Sequence, residues 1–317
     1  MTLPIQQPVV PHPRPRKIVV ATDLTDIDYL VPHAIAQART SGASLILVNA
    51  VLPHESMPVE SGAVPYYDPL RMDRDARLLL ENAAREVRKQ GVDCATAVRH
   101  GFAPDVIVEV VKNADAGRLI VGTHGRRGLK KFVLGSVARQ LLDLVDIPVC
   151  TIGPHAHHLP APAPRTILHP VSLAGLHETS TALSLQLARQ FDAHVVLLHV
   201  ILPETATGRD PGKAISAATA EVSRLIPAEA RAFTQIMVRI ALNNVVSEVL
   251  NVARETEAGL IVLGVHAPAH SWLPGTEPAA YKILVSASCP VISLRVTPAP
   301  EDEKQHQSET TNPVVLS

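Results

Sequence analysis

Aromatic side chains are scarce: four Phe, four Tyr and one Trp make up 3% of 317 residues. Stacking platforms for single-stranded nucleic acid are therefore not expected. Charge of one sign is missing as well. The formal net charge is −1, so no overall field draws the chain to nucleic acid or to an acidic membrane. Only three cysteines occur, Cys94, Cys150 and Cys289. An odd, well-separated set supplies neither a disulfide framework nor a CxxC metal knuckle. They read as buried thiols in a reducing cytosol, which makes the expected location cytoplasmic. Long apolar runs are absent too. The longest, Val195 to Leu202, has eight residues and contains His199, far below the ~20 of a membrane helix. Met1 to Arg16 is proline-rich and polar, without the apolar core of a signal peptide.

What remains is 46% hydrophobic residue, enough for two cores in domains of about 150 residues. Short β-branched runs alternate with helical patterns. Strands are expected at Lys17–Ala21, Leu45–Val51, Cys94–Arg99, Leu119–Gly122 and Val149–Ile152. Helices are expected at Tyr29–Ser41, Asp73–Gln90, Pro104–Asn113 and Ser136–Val145. Gly42 and Gly91 serve as stops. This alternation predicts an α/β fold with a mostly parallel sheet covered on both faces.

The second half repeats the first. RTILHPV from Arg165 echoes RKIVVAT from Arg16, and HVVLLHVILP from His194 echoes SLILVNAVLP from Ser44. GLIVLGVH from Gly259 echoes GRLIVGTH from Gly117. Gly122 and Gly264, like Pro148 and Pro290, lie 142 positions apart, so the repeat is a duplication in register. The expected organisation is an N-terminal arm (1–16), a first domain (17–153), a proline-rich linker (154–165), a second domain (166–297) and a polar tail (298–317). The linker is expected to be stiff and exposed.

One motif carries chemistry. After the fourth strand come Gly122-Thr-His-Gly125, nine residues, then Gly135-Ser136. Gly122 and Gly125 leave a turn without Cβ atoms, so backbone N–H groups can approach an anion. Gly135-Ser136 opens a helix, whose first amides and positive dipole end favour phosphate. Arg126, Arg127, Lys130 and Lys131 between them add positive potential. Neither GxxxxGK[ST] nor GxGxxG is present, and the same residues also suit a plain glycine turn with a serine helix cap. Position favours the anion site, because ligands of open α/β sheets bind beyond the carboxyl ends of the strands.

VGTHGRRGLKKFVLGSVARQLL followed by IPVCTI, together with KIVVATDLT, resembles the universal stress protein family, in its ATP-binding type. The resemblance covers nearly the whole chain as two tandem copies. It implies two doubly wound, Rossmann-like domains of the adenine nucleotide alpha hydrolase kind, about five strands each. The halves would pair as a pseudo-two-fold dimer within one chain, with further homo-oligomers and an unknown protein partner left open. It also implies a nucleotide site. Ala21, Thr22 and Asp23 would sit near adenine and ribose, and Ala50 would lie against the adenine. Val121, Gly122 and Gly125 would wrap the ribose and phosphates, and Gly135, Ser136 and Val137 would hold the phosphate tail. The Ser136 hydroxyl would be within reach of a phosphate or of Mg²⁺. Asp23 also suits a turn or cap before the first helix.

The second copy departs from this pattern. Ser172 stands where Asp23 would be matched, Ala267 replaces the second glycine, and Glu277-Pro278 falls where Gly-Ser should stand. A glutamate repels phosphate and a proline removes a backbone donor, so this copy is expected to have lost ATP. Gly275-Thr276, two residues early, would restore the motif only with a shortened loop. His12, His155, His157 and His158 have no Cys or carboxylate at ligand spacing, and no metal site is expected. His124 has a counterpart in His266 of the degenerate copy, which fits structure better than catalysis. No nucleophile–base pair stands out, so catalysis beyond weak ATP hydrolysis is not expected. The reading is an ATP-binding signalling module for the stress response. A slow ATP hydrolase or phosphate-transferring enzyme, and a non-binding scaffold, stand as alternatives.

Overall fold

Lys17–Ala21 (β1) is buried from its second residue on because its apolar side chains face helices on both sides of a sheet. The computed structural model describes residues 14–52, 69–123, 134–156, 163–173, 178–203, 210–266 and 278–296. In the first half β1 is followed by α1 (Ile27–Ser41), β2 (Ser44–Val51), α2 (Pro69–Lys89), β3 (Cys94–His100), α3 (Ala103–Asn113), β4 (Arg118–Gly122), α4 (Ser136–Leu144) and β5 (Val149–Ile152). Helix α1 stops at Gly42, whose φ of 72° is a left-handed cap that glycine adopts without strain. The second half repeats the order as β6 (Thr166–Pro170), α5 (Glu178–Phe191), β7 (His194–Ile201), α6 (Pro211–Arg224), β8 (Ile236–Leu242), α7 (Val245–Glu255), β9 (Leu260–His266), α8 (Ala279–Ser286) and β10 (Val291–Val296).

The two halves form one ten-stranded sheet, ordered β3-β2-β1-β4-β5-β10-β9-β6-β7-β8. Within each half every pairing is parallel. The junction is antiparallel: Val291, Ile292 and Ser293 of β10 face Thr151, Cys150 and Val149 of β5. That single reversal relates the halves by a pseudo-two-fold and joins them edge to edge, so neither inner strand leaves its amides unpaired. Helices α1, α2, α5 and α6 cover one face of the sheet and α3, α4, α7 and α8 the other, each over its own apolar layer.

The linker differs at its start from the exposed segment expected. Pro154–Ala156 forms a 3₁₀ turn and Ala156 is fully buried. Gly153 makes this possible, because a Cβ there would sit 3.0 Å from the carbonyl oxygen of Leu284 in α8. His33 of α1 reaches the Ala156 carbonyl with Nε2 at 3.4 Å. Polar contacts add to the junction. Arg295 donates to the carbonyl of Asp143 at 2.6 Å and pairs with the Asp146 carboxylate. The Arg139 guanidinium lies 5.4 Å from the Tyr281 ring. The arm to residue 13, linker residues 157–162 and the tail lie outside the described residues.

Candidate functional site

The strand order of the first half turns at β1, where β2 and β3 lie on one side and β4 and β5 on the other. A crevice opens at such a switch point, beyond the carboxyl ends of the strands. Ala21, the last residue of β1, lies between Val48 and Val121. The Thr22 amide adds one more rung to Val48 O at 3.0 Å. From there the turn is built by side chains. Asn49 donates its amide to Thr22 O at 2.9 Å. The Thr22 hydroxyl accepts from the Leu24 amide at 2.9 Å and donates to the Asp26 carboxylate. These bonds hold Leu24 at φ 75°, a left-handed conformation that a leucine keeps only when its surroundings over-determine it.

Asp23 is half-buried at the mouth. Its Oδ1 accepts from the Thr25 amide at 2.9 Å and from the Thr25 hydroxyl at 2.6 Å, an Asx turn. The N-cap position of α1 belongs instead to Asp26, three residues later. Asp26 is 4% exposed. Burial pushes its carboxyl up to about 7 and the nearby Asp23 charge adds to the rise, while the Thr22 hydroxyl opposes it. From sequence Asp26 reads as an ordinary first-turn acid; the structure makes it a buried carboxyl at the edge of the crevice.

Ala50 lies two residues past Val48, the β2 member of the last β1–β2 pair, and is half-buried beside Arg99 of β3. Val121 and Gly122 end β4, buried, with Gly122 level with Ile152. Thr123 then anchors both sides of the following loop. Its amide donates to Ile152 O at 3.1 Å and its carbonyl accepts the Gly135 amide at 2.9 Å. Gly135 caps α4. The amides of Ser136 and Val137, in the first turn, have no partner among the described residues, as a helix start dictates. Ser136 is exposed there and Val137 half-buried.

The carboxyl edge of the first half thus brings together Ala21, Thr22, Asp23, Ala50, Val121, Gly122, Gly135, Ser136 and Val137. Gly125 lies outside the described residues, as do His124 and the four basic loop residues. One detail refines the expectation. The Gly135 amide is committed to Thr123, so the donors offered to an anion begin at Ser136. Asn49, Thr123 and Asp26 are structural neighbours of these residues that the sequence reading did not select. A signal for Asn49 existed: it is the polar residue inside LILVNAV, and His199 occupies the same place in the repeat.

The second half keeps the scaffold and changes the chemistry. His199 Nδ1 lies 2.9 Å from Val171 O, repeating the bond of Asn49 to Thr22. Ser172, at the Asp23 position, is exposed. His169 stands where β1 has Val20; it is fully buried, with Nδ1 2.9 Å from Val262 O and Nε2 3.1 Å from Thr181 Oγ1. Pro278 caps α8 with φ −54° and ψ 145°, close to the −58° and 147° of Gly135. Having no N–H, Pro278 cannot make the rung that Gly135 makes to Thr123. Ala267, Gly275, Thr276 and Glu277 lie outside the described residues. No group of three or more His, Cys, Asp or Glu suited to a metal occurs among the described residues, and no described helix is long and apolar enough to cross a membrane.

Comparison with known proteins matches this architecture. The model of the universal stress protein family matches residues 15–152 and again 165–295. A universal stress protein of Methanocaldococcus jannaschii is 28% identical over 140 residues, covering 43% of this chain and 81% of its own. The universal stress protein E homolog of Haemophilus influenzae is 28% identical over 151 residues, covering 44% of this chain and 48% of its own. The crystal structure of a universal stress protein from Archaeoglobus fulgidus aligns over 88% of this chain and 98% of its own. Its TM-score is 0.66 at 14% identity, a likeness of fold.

Proposed function

The chain belongs to the universal stress protein family, and from that premise we propose that its first half binds ATP at the carboxyl edge of β1, β2 and β4, signalling nucleotide status in a cytoplasmic stress response. Adenine and ribose rest against Ala21, Thr22 and Ala50, with the Asp23 carboxylate accepting from a ribose hydroxyl. Val121, Gly122 and Gly125 wrap the ribose and first phosphates. The phosphate tail meets the amides of Ser136 and Val137, and the Ser136 hydroxyl would hold a phosphate oxygen or a Mg²⁺ that offsets the phosphate charge. The second half is a structural copy without this ligand.

The observation that carries the reading is the start of α4. The Thr123–Gly135 bond ties that start to the end of β4, so two amides at the positive end of a helix lie at the switch point of the sheet. A helix start of this kind favours an anion by about 0.3–1 kcal/mol when exposed and up to ~2 when partly buried. The three free cysteines are all buried, in keeping with a reducing compartment.

Mass spectrometry of the purified, denatured full chain tests the reading. Co-purified ATP or its hydrolysis products are expected. A protein that carries none, and whose melting temperature does not rise with added ATP, contradicts it.

A further inference from the structure

On the face covered by α1 and α5, a cavity of about 800 Å³ lies between the two halves, within the ~300–1,000 Å³ usual for small-molecule sites. The first half supplies only the middle of α1: His33, Ala36 and Gln37. The second half supplies the end of α5, the amino ends of β6, β7, β9 and β10 and the end of α7, and the linker supplies Ala163, Pro164 and Arg165. None of the residues assigned to the nucleotide lines it. Since its walls come from both copies, one copy alone does not form it.

Much of its lining is apolar, with Ala36, Ala163 and Pro164 reaching its surface and the nearly buried Phe191 and Leu260 behind them. The polar groups on the α1 side are already engaged. Gln37 Oε1 accepts from Arg118 at 3.0 Å, and Gln37 Nε2 donates to Cys150 Sγ at 3.2 Å. His33 Nε2 faces Ala156 O, and burial lowers the pKa of that imidazole, keeping it neutral. Thr256 Oγ1 also donates to Val252 O, and the lining residues His194 and Ser288 are exposed. Along α1, therefore, a guest meets few free hydrogen-bonding groups, which selects an apolar body there. The rim is different. Arg165 and Arg254 are exposed lining residues, and Glu257 is the one acid among those that line the cavity. Arg165 has no ion-pair partner among the described residues. An anionic head fits there and an apolar chain fits within.

We propose that this inter-half cavity is a second ligand site, for an amphipathic anion whose simplest form is a free acyl carboxylate. The chain lies along Ala36, Pro164 and Phe191, and the carboxylate meets Arg165 and Arg254. The assignment is independent of the nucleotide reading.

Fluorescence titration of the full chain with dansyl-labelled undecanoate, in excess ATP, tests it. Saturable binding that ATP does not displace is expected. Ala36→Phe, which puts a ring into the cavity, removes that binding while the melting temperature and circular dichroism spectrum stay as in the parent. Arg165→Glu, on the exposed rim, weakens the carboxylate by about two- to fivefold, the scale of an exposed ion pair, and leaves the methyl ester unchanged. No saturable binding, displacement by ATP, or full binding in both variants overturns the proposal. Should Ala36→Phe not fold, the carboxylate-against-ester difference in Arg165→Glu decides.

Discussion

Asn49 donates its side-chain amide to the carbonyl oxygen of Thr22 at 2.9 Å, from inside a strand whose other residues past Ser44 are apolar. The bond ties the second strand to the turn that presents Asp23. Removing it leaves a buried carbonyl without its partner, a cost of about 1–3 kcal/mol. Asn49→Ala should therefore lower the denaturation free energy by that amount. It should also weaken ATP, because the Asp23 turn loses its brace. Asn49→His, which borrows the solution seen at His199, should recover much of the stability. Denaturant titrations of the three proteins check this. A stability unchanged in Asn49→Ala contradicts it.

Asp26 makes stability depend on pH. Its carboxyl, ordinarily near 3.8, is pushed up to about 7 by burial, so between those values the folded protein holds a proton that the unfolded chain has released. The stabilising contribution is complete below about pH 4, and it falls as pH rises through about 7. Asp26→Asn keeps an acceptor for Thr22 and removes the titration. It should flatten the profile and exceed the parent at pH 8 by roughly 1–4 kcal/mol. Unfolding free energies at pH 4.5 and pH 8 decide, and parallel profiles for the two proteins refute the claim.

Arg118 is fully buried, yet only one of its nitrogens has a partner, Gln37; Nε and Nη2 have none within the described structure. Burial also lowers its pKa to about 10. A buried charge without a counter-ion is costly, and an apolar side chain of similar length often improves on it. Arg118→Met should be neutral or raise stability by about 1–2 kcal/mol. A loss of several kcal/mol on thermal denaturation would show that the guanidinium stabilises the fold.

At the junction, Arg295 makes two bonds of unequal worth. Its contact with Asp146 involves a carboxylate whose side chain is 81% exposed, and such pairs contribute about 0–1 kcal/mol. Its bond to the Asp143 carbonyl is partly buried and should matter more. Asp146→Asn is expected to leave stability within about 0.5 kcal/mol, whereas Arg295→Ala should cost about 1–3 kcal/mol. Equal effects in the two variants contradict this division.

Much of the architecture was legible because it follows from local pattern. KIVVA and VCTI appear as strands at the expected residues, and the repeated motifs, the later ones at a shared offset of 142, announce two similar halves. The antiparallel meeting of β5 with β10 was not readable, since nothing local in IPVCTI or CPVISL states which edge they join. The site was legible where backbone freedom demands glycine and a helix needs a start. Asp26 was not, because its burial depends on how Thr22 and α1 fold over it. The commitment of the Gly135 amide to Thr123 escaped for the same reason: eleven residues separate the two in sequence, and nothing local pairs them. The cavity between the halves exists only after they dock.

Calorimetric titration of the full chain, freed of co-purified nucleotide, with ATP and Mg²⁺, beside Gly135→Glu treated alike, tests the central claim most directly. The backbone at Gly135, φ −58°, admits any side chain, so this variant should fold. A carboxylate beside the phosphates costs several kcal/mol. One ATP per chain in the parent, and affinity reduced by more than about a hundredfold in the variant, is the predicted result. No saturable heat in the parent, two ATP per chain, or unchanged affinity in the variant would contradict it.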